Sequence, residues 1–329
     1  MTFTRRKTIA ALSAALAAAG LAAGLIVASG PSPGPHPAAV PTLRPSPRLL
    51  SPFTGEPVAA LRPVLAVKID NLARARPQTG LTSADIVYVL PVEGGLSRLM
   101  AIFSAHFPPV VGPVRSARED DLELLRQFGR PAFAYSGAQP QLLPVVERSR
   151  IVDLYSGLAG GYFRDARRVA PHNLYARPSQ LLAEARGASK AHDIGFRFGS
   201  PPAGGTVTLS ESVSYAAASF TFTWSAAKGR WLVRMDGTDA ASTEDGQLCA
   251  ATVVIQHTTV GTSRFLEQGS RPPYAKSTGS GTAVVLRSGK AYQARWSRPA
   301  EDDGTTFSTV SGQPMRFAAG PIWIVLTPR

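Results

Sequence analysis

Apolar residues along this chain fall in short runs broken by Gly, Pro and polar clusters, not in long helical stripes. Ile86–Val92 (IVYVLPV) and Arg98–Ser104 (RLMAIFS) are nearly continuous in hydrophobics, which predicts two strands covered on both faces. Glu93-Gly94-Gly95 lies between them. A glycine pair supplies the positive φ of a tight turn, so the run predicts a hairpin with Glu93 at its mouth. Val64–Ile69, Pro131–Ser136 and Ile151–Leu154 read as further strands. Leu122, Leu125 and Phe128 recur at helical spacing behind Glu119-Asp120-Asp121. This predicts a helix from about Ala117 to Phe128, opened by Ser116 and Glu119 as a capping box. Shorter helices are expected at Pro140–Glu147 and Pro178–Ala185. The order gives an α/β (mixed α+β) domain over residues 51–190.

A Gly/Pro/Ser-rich stretch, residues 188–205, marks a boundary. Beyond it come short alternating runs: Thr206–Val213, Phe220–Trp224, Trp231–Met235, Ala251–Thr259, Gly281–Arg287, Ala291–Trp296 and Ile322–Leu326. They predict a smaller, β-dominated domain over residues 200–329. Trp224, Trp231, Trp296 and Trp323 are read as packing residues. Cys249 is the single cysteine, which excludes an intrachain disulfide, and its apolar neighbours predict a buried thiol.

The N-terminus supplies an address. Arg5-Arg6-Lys7 precede the uncharged, Ala-rich run Ile9–Ala28, a signal peptide or membrane anchor over residues 1–30. The positive flank keeps that end cytoplasmic, so the body is expected on the extracytoplasmic side of the cell membrane, or secreted if the segment is cleaved. Residues 31–50 carry seven prolines and read as a Pro-rich linker. The formal net charge is +13, but the basic excess is spread along the chain. No recognition motif or basic block points to nucleic acid. No Walker or Rossmann glycine loop points to a dinucleotide, and no cofactor is expected.

The chemistry concentrates at two places. Arg115 and Arg118 flank the expected helix start, where cations oppose the helix dipole. Either they seat an anion, or they pair with Glu93, Glu119, Asp120 or Asp121 and hold the fold. The second place is Tyr162–Tyr175 (YFRDARRVAPHNLY), where Arg164, Arg167 and Arg168 surround Asp165 and His172-Asn173 follow. His106, His192 and His257 show no ligand spacing with His172, so no metal site is expected.

Five motifs stand in order: KIDNLARARPQTGL, ADIVY, VEGGLSRLMAIF, VGPVRSAR and APHNLY. With GSGTAVVLRSGKAYQARW and GPIWIVLTP near the C-terminus, they resemble the bacterial YerB-like family, whose members are described as lipoproteins of uncharacterised function. The resemblance implies an extracytoplasmic, membrane-tethered protein of two domains. Three features depart from the family: no lipid-attachment cysteine follows the apolar run, Val89 stands where an acid is common, and Gly137-Ala138 replaces a Gly-Gly. Carried over by motif, the polar signature falls on Asp70, Asn71, Arg76, Glu93, Arg98, Arg115, Ser116, Arg118, Arg164, His172 and Asn173. Three functions follow as expectations. The first is a binding module for an anionic or zwitterionic wall polymer or an envelope protein. The second is a glycan-acting hydrolase or lyase with Glu93 as acid and His172 or Asp70 as base. The third is an assembly factor whose charged motifs hold the fold.

Overall fold

The structure is a computed structural model that describes Gly30 and residues 48–329 apart from Asp245 and Gln268. The expected leader or anchor, and the Pro-rich linker up to residue 47, lie outside the described residues. Among the described residues no helix is long and apolar enough to cross a membrane.

The chain opens with β1 (Leu65–Asp70), β2 (Ile86–Pro91) and β3 (Ser97–Phe103), then α1 (Glu119–Leu125) and β4 (Ala132–Tyr135). It continues through α2 (Leu143–Glu147), β5 (Val152–Tyr155), β6 (Tyr162–Arg164), β7 (Leu174–Ala176) and α3 (Pro178–Glu184). Two-residue strands follow, β8 (Arg197–Phe198) and β9 (Thr206–Val207), before β10 (Ser210–Tyr215), β11 (Ala218–Ser225), β12 (Arg230–Met235), β13 (Thr238–Asp239) and β14 (Cys249–Ala250). The last stretch holds β15 (Thr252–Thr258), β16 (Val260–Thr262), β17 (Pro273–Ala275), β18 (Gly279–Arg287), β19 (Lys290–Arg298), β20 (Thr306–Thr309), β21 (Arg316–Phe317) and β22 (Ile322–Pro328).

Strands dominate. The three helices stand near their expected places but are only 7, 5 and 7 residues long. The helical half of the α/β expectation is therefore met only in part.

Ten strands run β20-β19-β18-β15-β22-β2-β3-β1-β4-β5, and β9 adds to β19 as the eleventh. The last strand, β22, lies parallel between β2 and β15. Strands from both halves of the sequence thus share one sheet. The hairpin read around Glu93 is present: β2 pairs antiparallel with β3, and Gly94 and Gly95 take φ of 68° and 71°.

Side-chain alternation along each strand separates two cores. Leu65, Val67, Ile69, Val87, Val89, Leu99 and Ala101 face one side. There Phe220, Phe222, Trp231, Val233 and Met235 of the second, five-stranded sheet cover them. Ala66, Ile86, Tyr88, Met100 and Ile102 face the other side, against Leu124 and Leu125 of α1, Phe128 and Val146. Both faces are buried, as the continuous apolar runs required. Trp231, Trp296 and Trp323 are core residues, and Trp224 packs on Trp231 with ring centroids 5.4 Å apart. Cys249 departs from its reading: on the short strand β14 it is half-buried.

The acids of α1 have partners far along the chain. Glu119 accepts from Ser263 Oγ and Arg264 N at 2.7 and 2.8 Å. Glu123 accepts from Ser277 N, Thr278 N and the Tyr274 hydroxyl at 2.7, 2.9 and 2.8 Å. Asp121 meets Lys68 Nζ at 2.5 Å with both side chains fully buried. Asp120 accepts from Ala275 N at 3.2 Å. Burial, and then the charge of Asp121, push the Asp120 carboxyl up to about 7. One buried ammonium does not neutralise two buried carboxylates.

Asp85, just before β2, accepts the amides of Ser104 and Ala105 at 2.6 and 2.9 Å. Burial raises its carboxyl from 3.8 to about 7 despite those two bonds. The unfolded chain releases this proton first, so the contribution is full at acid pH and is lost as pH rises from about 4 towards 7. Urea unfolding should show the fall in stability between pH 5 and pH 7 reduced by about 2 kcal/mol in Asp85→Asn, with the fall that remains belonging to Asp120. An unchanged slope in the variant would contradict the assignment.

Candidate functional site

β1, β4 and β5 run parallel, so their carboxyl ends open on one edge of the sheet, the usual place for a crevice in parallel strands. β1 ends there on Asp70. The alternation that turns Ala66 and Lys68 towards α1 turns Asp70 the same way. Arg98, the second residue of β3, stands directly opposite Asp70 on the same face.

Beyond the end of β4 the extended segment 111–115 takes the place beside β1. Asp70 N donates to Pro113 O and Arg115 N to Lys68 O. On its other side Val114 N donates to Leu174 O and Val111 exchanges amides with Ala176. Gly112 is required by close approach, since a Cβ there would sit 2.6 Å from the Tyr175 ring and 3.0 Å from Leu174 O. This segment delivers Arg115, and β7 delivers His172 and Asn173 just before its first residue.

The result is one fully buried carboxylate against three basic groups. His172 Nδ1 lies 2.7 Å from Asp70 Oδ2, Arg115 Nε lies 3.2 Å from the same oxygen, and Arg98 Nε lies 3.6 Å from Oδ1. Burial lowers the proton affinity of Arg98; Asp70 opposes that, while Arg115 and Arg118 reinforce it.

Glu93, on the hairpin turn, takes Arg118 as a fork, with Nε and Nη2 at 2.6 and 3.2 Å. Burial works to raise the Glu93 carboxyl, but the hydrogen bond and charge of Arg118 outweigh it and hold it below the ordinary range. Glu267 Oε1 stands 3.6 Å from Nη2 of Arg118, the nitrogen that also meets Glu93. A cavity of about 510 Å³ lined by Glu93, Gly94, Tyr215, Ser270 and Arg271 borders the turn.

Six of the sequence-derived residues therefore stand together: Asp70, Arg98, Arg115 and His172 in contact, and Glu93 with Arg118 beside them. The others have different work. Asn71 donates to Ser97 Oγ at 2.8 Å and accepts from Arg76 and Gln78. Arg76 leads away from Asp70, to Asn71 O and to Asp236 beyond β12, both at 2.8 Å. Arg164 is exposed and donates to Asn173 Oδ1 at 2.8 Å. Ser116 does not cap α1. Arg118 is still extended, with φ −124° and ψ 164°, so the helix begins one residue later. Asp121, not Glu119, closes the turn by accepting Arg118 N at 2.7 Å.

Lys68 and Glu267 were not singled out from the sequence. Lys68 had a signal, as the one charge within an apolar strand, two positions before Asp70 on the same face. Glu267 had none, being close to Arg118 only in space. Among the described residues no group of three or more His, Cys, Asp or Glu is placed to hold a metal ion.

This geometry ranks the two acids. Asp70 is fully buried and balances two guanidiniums, whereas the Glu93 side chain is 23% exposed and holds one. Asp70→Asn should cost about 3–5 kcal/mol by leaving buried cations uncompensated, and Glu93→Gln distinctly less. Chemical denaturation of both variants checks this, and an equal or reversed order would contradict it.

Comparison with known proteins places the chain in a family. The family model described as "Protein of unknown function (DUF3048) N-terminal domain" matches residues 53–192, and the corresponding C-terminal domain matches residues 211–324. The "Putative lipoprotein YerB" of Bacillus subtilis (strain 168) is 38% identical over 135 residues, a match spanning 39% of this chain and 40% of the relative's own length. The crystal structure of YerB protein from Bacillus subtilis superposes with a TM-score of 0.72 at 22% identity, covering 86% of this chain and 97% of that one; at that identity the likeness is one of fold. With both of its domains matched, this chain belongs to the DUF3048 family, the family of YerB.

Proposed function

We propose that this chain is an extracytoplasmic protein of the cell envelope whose Asp70 centre binds an anionic or zwitterionic wall component or an acidic segment of an envelope partner. The location is supported by the apolar run behind Arg5-Arg6-Lys7 and by the lipoprotein description of the relative. Membrane attachment would rest on that apolar run.

One observation carries the binding reading: Arg98 and Arg115 share a single carboxylate. At Asp70 itself cations outnumber the acid, while Glu93 and Glu267 together serve Arg118, and the Arg115 side chain is 22% exposed, so an incoming anion can reach it. Charge-assisted bonds from guanidinium to carboxylate or phosphate are strong and directional. Glu93, held ionised and lining the 510 Å³ cavity, supplies the negative counterpart for an amine on the same ligand.

The hydrolase or lyase reading has half of its parts. Asp70 orients His172 through Nδ1 and leaves Nε2 for a proton. Its acid is missing, because general acid catalysis needs a carboxyl raised towards neutrality and Arg118 holds Glu93 the other way.

Isothermal titration of the full chain with N-acetylmuramyl dipeptide tests the proposal. Binding is expected, Arg115→Ala should weaken it about tenfold or more, and Arg126→Ala, which breaks a surface pair with Asp302, should leave it unchanged. No heat of binding, or an unchanged affinity in Arg115→Ala, would refute it.

A further inference from the structure

The hairpin of β6 and β7 carries a second cationic surface that the Asp70 centre does not use. A cavity of about 580 Å³ opens between this hairpin and the loops that bear Thr79 and Thr243. Its walls include Phe163, Asp165, Arg167, Arg168 and Tyr175. Arg168 is fixed by neutral acceptors: Nη1 donates to Ala75 O at 2.9 Å, Nη2 to Pro77 O at 2.7 Å, and its guanidinium carbon lies 5.9 Å from the Tyr175 ring centroid. Carbonyl oxygens orient a guanidinium without cancelling its charge.

The same holds for its neighbours. Arg164 donates to the Asn173 amide oxygen, and Arg177 lies over the Phe163 ring at 4.2 Å. Only Arg167 has an acid. It forks onto Asp165 with two bonds of 2.9 Å, while its own side chain is 90% exposed. Four guanidiniums thus stand on or beside one short hairpin with Asp165, and two of them, Arg167 and Arg168, line the groove itself.

The remaining wall is rich in hydroxyls. Thr79 Oγ1 and Thr243 Oγ1 meet at 2.7 Å across the mouth. The aromatic faces are already taken, since Phe163 and Tyr175 stack on each other at 5.9 Å between Arg177 and Arg168. Ring edges and hydroxyls, not open faces, are offered to a ligand. We infer that this groove is a second binding site, for a polyol chain that carries phosphate groups. A phosphate presents oxygens in several directions and so meets guanidiniums that approach from different sides, whereas a carboxylate's planar pair suits one fork.

The full chain titrated with poly(glycerol phosphate), polygalacturonate and neutral dextran tests the inference. Poly(glycerol phosphate) is expected to bind most tightly, with an affinity that falls as salt rises, and dextran not at all. Arg167→Glu alters an exposed side chain whose one acid, Asp165, stands two residues away on the same loop, and should weaken binding at least tenfold. Arg168→Ala should do the same, and Arg115→Ala should leave this affinity unchanged. The muramyl dipeptide gives the reverse pattern, lost in Arg115→Ala and kept in Arg167→Glu, so the two sites fail independently. Polygalacturonate binding as tightly as the phosphate polymer would overturn the ligand class, and unchanged binding in Arg167→Glu would overturn the site.

Discussion

A carboxylate taken wholly out of water must be met by cations or hydrogen-bond donors, and Asp70 is such a carboxylate. It ends strand β1, and three separate stretches of chain converge to satisfy it. Arg98 comes across the sheet, Arg115 comes from the segment that replaces β4, and His172 comes from the lead-in to β7. Each contact fixes a loop at the carboxyl edge of the sheet. The same convergence that stabilises the fold sets more than one cation against Asp70, and this links the packing of the edge to its capacity to bind.

A second set of buried acids joins the two matched regions of the family. Glu119, Asp120 and Glu123 of α1 receive donors from residues 263–278, and Arg298, fully buried, donates to Glu123 O at 2.8 Å. With β22 inserted between β2 and β15, the two regions share backbone ladders as well as side chains. Glu267 reaches Arg118 on the turn that these anchors hold. The Asp70 centre is thus bordered by groups from both regions, although every residue that touches Asp70 comes from the first.

Much of the edge strand pattern was legible in the sequence because it is local. The runs IVYVLPV and RLMAIFS and the Gly94-Gly95 pair dictate a hairpin, whereas the shared face of Asp70 and Arg98 comes from the pairing of β1 with β3. Partnership was not legible, because it is decided by contacts far apart in the chain. Glu119 read as a capping acid, and Asp120 and Asp121 as alternative partners for Arg115 and Arg118, yet Glu119 and Asp120 reach across to residues 263–275. Ser116 fitted a capping pattern, but the backbone pairing of Arg115 and Ala117 with β1 and Gly137 keeps the chain extended past it. Arg76 and Arg164 share motifs with the centre while their guanidiniums reach Asp236 and Asn173. The groove beside Arg168 was hidden because its wall joins Thr79 to Thr243.

The account stands on Arg115 as the cation left partly uncompensated. Nitrogen-15 NMR of the arginine Nε–Hε groups, recorded while N-acetylmuramyl dipeptide is added to the full chain, observes that guanidinium itself. The account predicts a saturable shift at Arg115 and at Arg98 with Arg126 unmoved. Shifts confined to surface arginines, with Arg115 silent to saturation, would contradict it.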